Sequence, residues 1–157
     1  MRQGIELLFF AYRDFTREAD AILSEYGLGR AHHRVLHFVH RHPGMRVAGL
    51  LDILKITKQS LARVLKQLLD QGWIEQQAGH EDRRQRLLYA TPLGATLSGR
   101  LDALQSRRVA QALAAAGGVN DGVVIARFMF AMIAEEERSL VAALLPGPVG
   151  ATAANRK

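Results

Sequence analysis

Lys58, Gln59, Arg63, Lys66 and Gln67 are all hydrogen-bond donors, and no acid stands among them. At helical spacing they share one side of a helix. Lys and Arg can pair with guanine edges and Gln with adenine, and all of them can meet phosphate oxygens. By itself such a surface is equally well read as a solvated helical face. A second basic group follows in the run Gly79 to Arg86, where Asp82 stands among Arg83, Arg84 and Arg86. Guanidinium groups on a loop suit the negative potential of a narrow groove, and an acid placed there orients the loop more readily than it attracts an anion. A third group is imidazole: His32, His33, His37, His40 and His42 are five of the six histidines. His33, His37 and His40 fall at i, i+4 and i+7, a spacing from which zinc could be bound. No carboxylate or cysteine pattern accompanies them, so half-buried structural histidines are the simpler account, and no metal or cofactor is assigned.

The sequence around these residues sets out the elements that must hold them. Leu61, Val64, Leu65 and Leu68 repeat at helical spacing behind the donors, so a helix is expected over Thr57 to Leu69, capped by the Thr57 hydroxyl. Gly72 ends it, since glycine takes a left-handed conformation without steric cost. Trp73 and Ile74 begin a short extended run, and Leu87 to Thr91 forms a second run beyond the charged loop. Upstream, Val47, Leu50, Leu51 and Leu54 predict a short helix over 46 to 55. Ile56-Thr57 is then the tight turn of a helix-turn-helix, in which the second helix enters the major groove by its N-terminal residues. That order places Lys58, Gln59, Ser60 and Arg63 at base edges. Thr57, Lys66 and the backbone N–H groups of the first turn would meet phosphates.

The stretch from residue 57 to 94 resembles the DNA-binding half of the MarR family of bacterial transcription regulators. The residues that carry the likeness are Gly72-Trp73-Ile74, Asp82-Arg83-Arg84 and Thr91-Pro92-Leu93-Gly94. It extends more loosely over about residues 5 to 145. The resemblance implies a winged helix in which Asp82 pairs with Arg84 to shape the wing while another arginine, most simply Arg83, reaches into the minor groove. Which arginine orients and which inserts stays open, and His80 at the tip is a surface residue. It further implies a homodimer on double-stranded DNA, acting by default as a repressor. A small anionic or aromatic effector would bind in a crevice lined by Tyr12, Arg13, His33 and His37. Two rival readings are a zinc-responsive regulator that uses the histidine cluster and a winged helix that binds protein instead of DNA.

The rest of the chain fits a mainly α (α+β) class. Residues 4 to 25 read as an apolar helix through Ile5, Leu8, Phe9, Tyr12, Phe15 and Ile22. Val35, Leu36 and Val39, with Phe38 beside them, mark a second helix before Pro43-Gly44. A long helix opens at Pro92, follows Leu93, Leu97, Leu101 and Leu104, and continues through Val109 to Gly117-Gly118. Asn120 and Asp121 could cap a last helix to about Leu145. The expected division is a winged-helix DNA-binding lobe at 29–94, dimerisation helices at 1–28 and 95–145, and a flexible tail at 146–157. The 157 residues carry 21 basic against 15 acidic side chains, net +6, which favours a polyanionic partner. No run approaches the ~20 apolar residues of a membrane span, and the start shows no signal-peptide pattern, so a cytoplasmic protein is expected. With no cysteine, thiol redox sensing is excluded. No glycine-rich phosphate loop and no supported Ser/His/acid set is present, so no enzyme is expected.

Overall fold

The computed structural model describes residues 2–79, 82, 84–117 and 119–149, with no side-chain description at 119–121. The elements run α1 (Arg2–Ser24), α2 (Arg30–Arg41), β1 (Met45–Arg46), α3 (Val47–Leu54), α4 (Lys58–Asp70), β2 (Ile74–Ala78), β3 (Arg86–Ala90), α5 (Pro92–Ala116), α6 (Val119–Ala131), a 3-10 turn at Glu135–Glu137 and α7 (Arg138–Leu144). Two compact units divide at Ser106: Met1–Ser106 and Arg107–Lys157.

The first unit is built on periodicity. Val35, Leu36 and Val39 of α2, Leu50 and Leu54 of α3, and Leu61, Val64, Leu65 and Leu68 of α4 are all buried together with Ile74, Leu88, Leu97 and Leu101. Helix α2 packs against α3, α4 and β3. The sheet has the order β1-β3-β2, antiparallel throughout. Its wing hairpin pairs Ile74 with Ala90 and Ala78 with Arg86. The third strand, β1, is an addition to the two extended runs expected from sequence. Two residues show no period, and β1 exists because Met45 and Arg46 pair with Leu88 and Leu87 of a strand far along the chain.

Where α4 meets the wing, the chain forms a Schellman turn. The Trp73 N–H donates to the Leu68 carbonyl at 2.9 Å and the Gly72 N–H to that of Leu69 at 3.0 Å. Gly72 supplies the positive φ of 72° this turn requires. Thr91 returns the chain to the same place. Its hydroxyl lies 2.7 Å from the Gly72 carbonyl and its N–H donates to the Trp73 carbonyl at 3.2 Å. The Thr91 hydroxyl oxygen also accepts from the Gly94 N–H at 3.1 Å, capping α5. A Cβ on Gly94 would lie 1.9 Å from the Trp73 carbonyl oxygen, so α5 reaches this position only because residue 94 has no side chain.

Three expectations are corrected. Leu93 does not join the buried stripe of α5; as the second residue of the helix it is 53% exposed, and the first buried leucine is Leu97. The last helix is not continuous. It breaks after Ala131, and the Arg138 guanidinium donates to the carbonyls of Ala131 at 2.8 Å and Ile133 at 3.0 Å, satisfying acceptors that a helix would otherwise have used. Asn120 and Asp121 lie inside the first turn of α6, which starts at Val119, so they are not positioned as its cap. Gly118 and the tail from Gly150 lie outside the described residues, and residues 146–149 bend without regular structure. Among the described residues, no helix is long and apolar enough to cross a membrane.

Candidate nucleic-acid interface

Helix α4 presents its donors because its other side is committed to the core. With Leu61, Val64, Leu65 and Leu68 buried, Lys58, Gln59, Ser60, Arg63 and Lys66 are all exposed. Thr57 caps the helix as its type and place suggest: its hydroxyl oxygen accepts from the Ser60 N–H at 3.1 Å and the hydroxyl donates to Ser60 Oγ at 2.9 Å. The first turn therefore projects its remaining N–H groups from the positive end of the helix dipole, where an anion is stabilised. Lys66 forms an ion pair with Asp70 one turn on. Both partners are largely exposed, so the pair holds Lys66 weakly and does not tie it up. Gln67, part of the donor face in the sequence, has a structural task instead. Its Nε2 donates to the Gly27 carbonyl at 2.9 Å, fastening the end of α4 to the turn between α1 and α2.

Asp82 organises the wing loop through backbone, and among the described residues it forms no guanidinium pair with Arg84, the partner that the resemblance implied. Asp82 Oδ1 accepts from the backbone N–H of Arg84 at 2.9 Å. The Asp82 carbonyl accepts from the Gln85 N–H at 3.0 Å, and the Gly79 N–H donates to the Gln85 carbonyl at 3.0 Å. An Asp that bonds the N–H two residues on builds its own turn. The Arg84 side chain is thus left to solvent, and Arg86 is exposed at the start of β3. Arg83, the expected minor-groove contact, and His80, the expected surface residue at the tip, lie outside the described residues.

The histidine cluster is spread over separate duties. His32 Nδ1 accepts from the Gly29 N–H at 3.1 Å, closing the N-terminus of α2. His37 Nδ1 lies 3.0 Å from Asp102 Oδ1 on α5. His33 and His37 meet edge to face with ring centroids 6.5 Å apart, and Phe38 stacks near His42 at 6.4 Å. Among the described residues, no three His, Cys, Asp or Glu side chains converge in a way that could hold a metal. Of the four residues expected to line an effector crevice, His33 and His37 are brought together. Tyr12 lies under the Arg30 guanidinium, 5.6 Å from ring centroid to carbon. Arg13 is turned to its own helix, 2.9 Å from Asp14 and 5.0 Å over the Phe10 ring. Two participants were missed from sequence. Asp102 has no local signal on a helix of mixed composition, and Arg30, which bonds Asp20 at 2.8 Å, reads as one more surface cation.

Burial, then the neighbouring His37, pushes the His33 imidazole below its ordinary value, with Asp102 and Asp20 offsetting part of the shift. An imidazole depressed in the folded chain adds stability that is complete above the unfolded value near ~6.5 and is lost as pH falls through the folded value. Thermal unfolding followed from about pH 7.5 to about pH 5.5 should therefore show a shallower loss of stability in His33→Gln than in the parent protein. Parallel curves for the two proteins would remove His33 from the account.

Comparison with known proteins places these features in a family setting. The model of the MarR family matches residues 26–85. The HTH-type transcriptional regulator PetP of Rhodobacter capsulatus is 48% identical over 117 residues, covering 74% of this chain and 70% of PetP. Among solved structures, a SlyA-like transcription regulator from Listeria monocytogenes is similar with a TM-score of 0.64 at 18% identity, over 91% of this chain and 93% of that one. The reduced form of MarR from E. coli gives 0.64 at 20% identity, over 82% and 95%. FabT of Streptococcus pneumoniae, solved in complex with DNA, gives 0.63 at 14% identity, over 90% of each chain. These likenesses extend to the mainly helical architecture with its small antiparallel sheet.

Proposed function

The chain belongs to the MarR family, a winged helix-turn-helix transcriptional regulator and not an enzyme, and we propose that it represses transcription as a homodimer seated on a pseudo-palindromic operator. The observation that carries this reading is the exposed, acid-free first half of α4 with its cap at Thr57. Lys58, Gln59, Ser60 and Arg63 would meet base edges in the major groove, and Thr57 and Lys66 its phosphates. Asp82 would shape the wing, and Arg83, Arg84 and Arg86 would track the flanking minor groove and its phosphates. Two such helices would enter successive major grooves about 34–36 Å apart. The twofold partner is supported by apolar surface that a lone chain leaves in water: Ile5, Phe9, Phe10 and Tyr12 on α1 are 54–71% exposed, and Val124, Phe128, Met129 and Met132 in the second unit 56–64%. The site of action would be the bacterial cytoplasm, where the chromosome is.

Regulation would come from a small anionic or aromatic ligand near Tyr12, His33 and His37. It acts only if it prefers a dimer whose two α4 helices are wrongly spaced, because only differential affinity moves such an equilibrium. Arg13 would contribute after leaving Asp14. The test is selection of genomic fragments by the purified full chain at physiological salt, with the mass of the protein and of its complex measured in parallel. Enrichment of a twofold-symmetric sequence bound by two chains is the expected result. A monomer, or no enrichment over random fragments, would overturn the proposal and favour a protein-binding winged helix.

A further inference from the structure

We propose that Asp102 is a positioning residue for DNA reading: by holding His37 it sets how α2, and through α2 the recognition helix α4, sits on α5. This inference rests on the operator-binding function proposed above. Helix α2 is the hub of the first unit, in contact with α3, α4 and β3. Its attachment to α5 includes two contacts of different kinds. One is apolar: the Leu36 side chain closes on the first turn of α5, with its Cδ1 3.2 Å from where a Cβ on Gly94 would lie. The other is polar, two turns farther along α5, where Asp102 Oδ1 meets His37 Nδ1 at 3.0 Å.

The individual dispersion contacts of the apolar part have no direction of their own and orient α2 only through close packing. The polar part is directional, since a hydrogen bond weakens steeply when its donor turns away. Neither side chain is fully buried, the His37 and Asp102 side chains being 35% and 27% exposed. The pair is therefore not a core contact on which folding depends. The far end of α2 is pinned separately, by Arg30 to Asp20 of α1 at 2.8 Å. Loss of the His37–Asp102 bond would leave α2 joined to α5 by apolar packing alone, and the lobe would spend only part of its time in the pose that operator DNA selects. Apparent affinity falls by that fraction. Binding to an unrelated duplex, which depends on charge and not on pose, would be spared.

The experiment measures affinity of the full-length protein for its selected operator and for an unrelated duplex of equal length, with thermal unfolding as a check on folding. Asp102→Ala and His37→Leu should each weaken operator binding by about tenfold, the scale of one charge-assisted hydrogen bond. The double variant should be no worse than either single one, as for two halves of one interaction. Asp102→Asn keeps an acceptor and His37→Asn puts an amide near the place of Nδ1, so each should restore most of the affinity. Unrelated duplex should be bound equally by all. Operator affinity unchanged in a folded Asp102→Ala protein, strictly additive losses, or no recovery with the Asn variants would overturn the inference. Failure of the parent protein to prefer any operator would instead sink the function on which it rests.

Discussion

Arg63→Ala is expected to lower operator affinity by about ten- to a hundredfold while leaving the melting temperature within a degree or two, because one good base-edge pair is worth ~1–3 kcal/mol. Arg63 is exposed on α4, between the buried Leu61 and Val64, so its removal takes nothing from the core. It lies about two turns from the capped end, where, in the proposed docking, its guanidinium could span both acceptors of a guanine. Two forms of the loss can be told apart. A base contact relaxes discrimination at one operator position. A phosphate contact weakens all sequences alike and reduces the slope of log affinity against log salt by about one. Binding curves on the operator, on single-position variants of it and on unrelated duplex, each at several salt concentrations, decide between them. Equal affinity of parent and variant for every duplex would remove α4 from the interface.

Gly94→Ala should have the largest effect on folding, about 3 kcal/mol or more, at the upper end of what overpacking costs. The new methyl group would lie 1.9 Å from the Trp73 carbonyl oxygen and 2.9 Å from its carbonyl carbon. Those atoms are backbone, held in the turn that closes α4 and bonded to Thr91, so they have no rotamer through which to retreat. Gly99, five residues on in the same helix, is the control. A Cβ there meets nothing within 4 Å, and Gly99→Ala should stabilise by about 0.5–1 kcal/mol through helix propensity alone. Denaturant unfolding of the two variants should show midpoints displaced in opposite directions. A Gly94→Ala protein as stable as its parent would mean that α5 does not sit on Trp73 as described.

What the sequence could and could not reveal follows the range of each interaction. Helix α4, its Thr57 cap and its Gly72 terminus depend on residues within a turn or two, and each is readable from types and spacing. The T-P-x-G step was legible only as a likeness. Its physical cause, a threonine that caps α5 while holding the Gly72 carbonyl and a glycine against Trp73, needs two segments some twenty residues apart to be in contact. Asp102 was invisible for the same reason, since its partner lies 65 residues away. The two-residue strand β1 and the Arg138-capped break after Ala131 carry no period. The donor face was over-read at Gln67, whose amide looks like its neighbours until the Gly27 carbonyl is seen beside it.

The hairpin starts at β2 and finishes at β3 on one hydrogen-bonded knot, formed by Gly72, Trp73, Thr91 and Gly94. Chain inserted between Ala78 and Arg86 has no lever with which to pry at the interior. A longer tip would sweep a wider arc from the same anchorage, and a shorter one would reach less far, at little change in melting behaviour. If the wing spans a flanking groove as proposed, its reach and the thermal robustness of the protein would be separable traits.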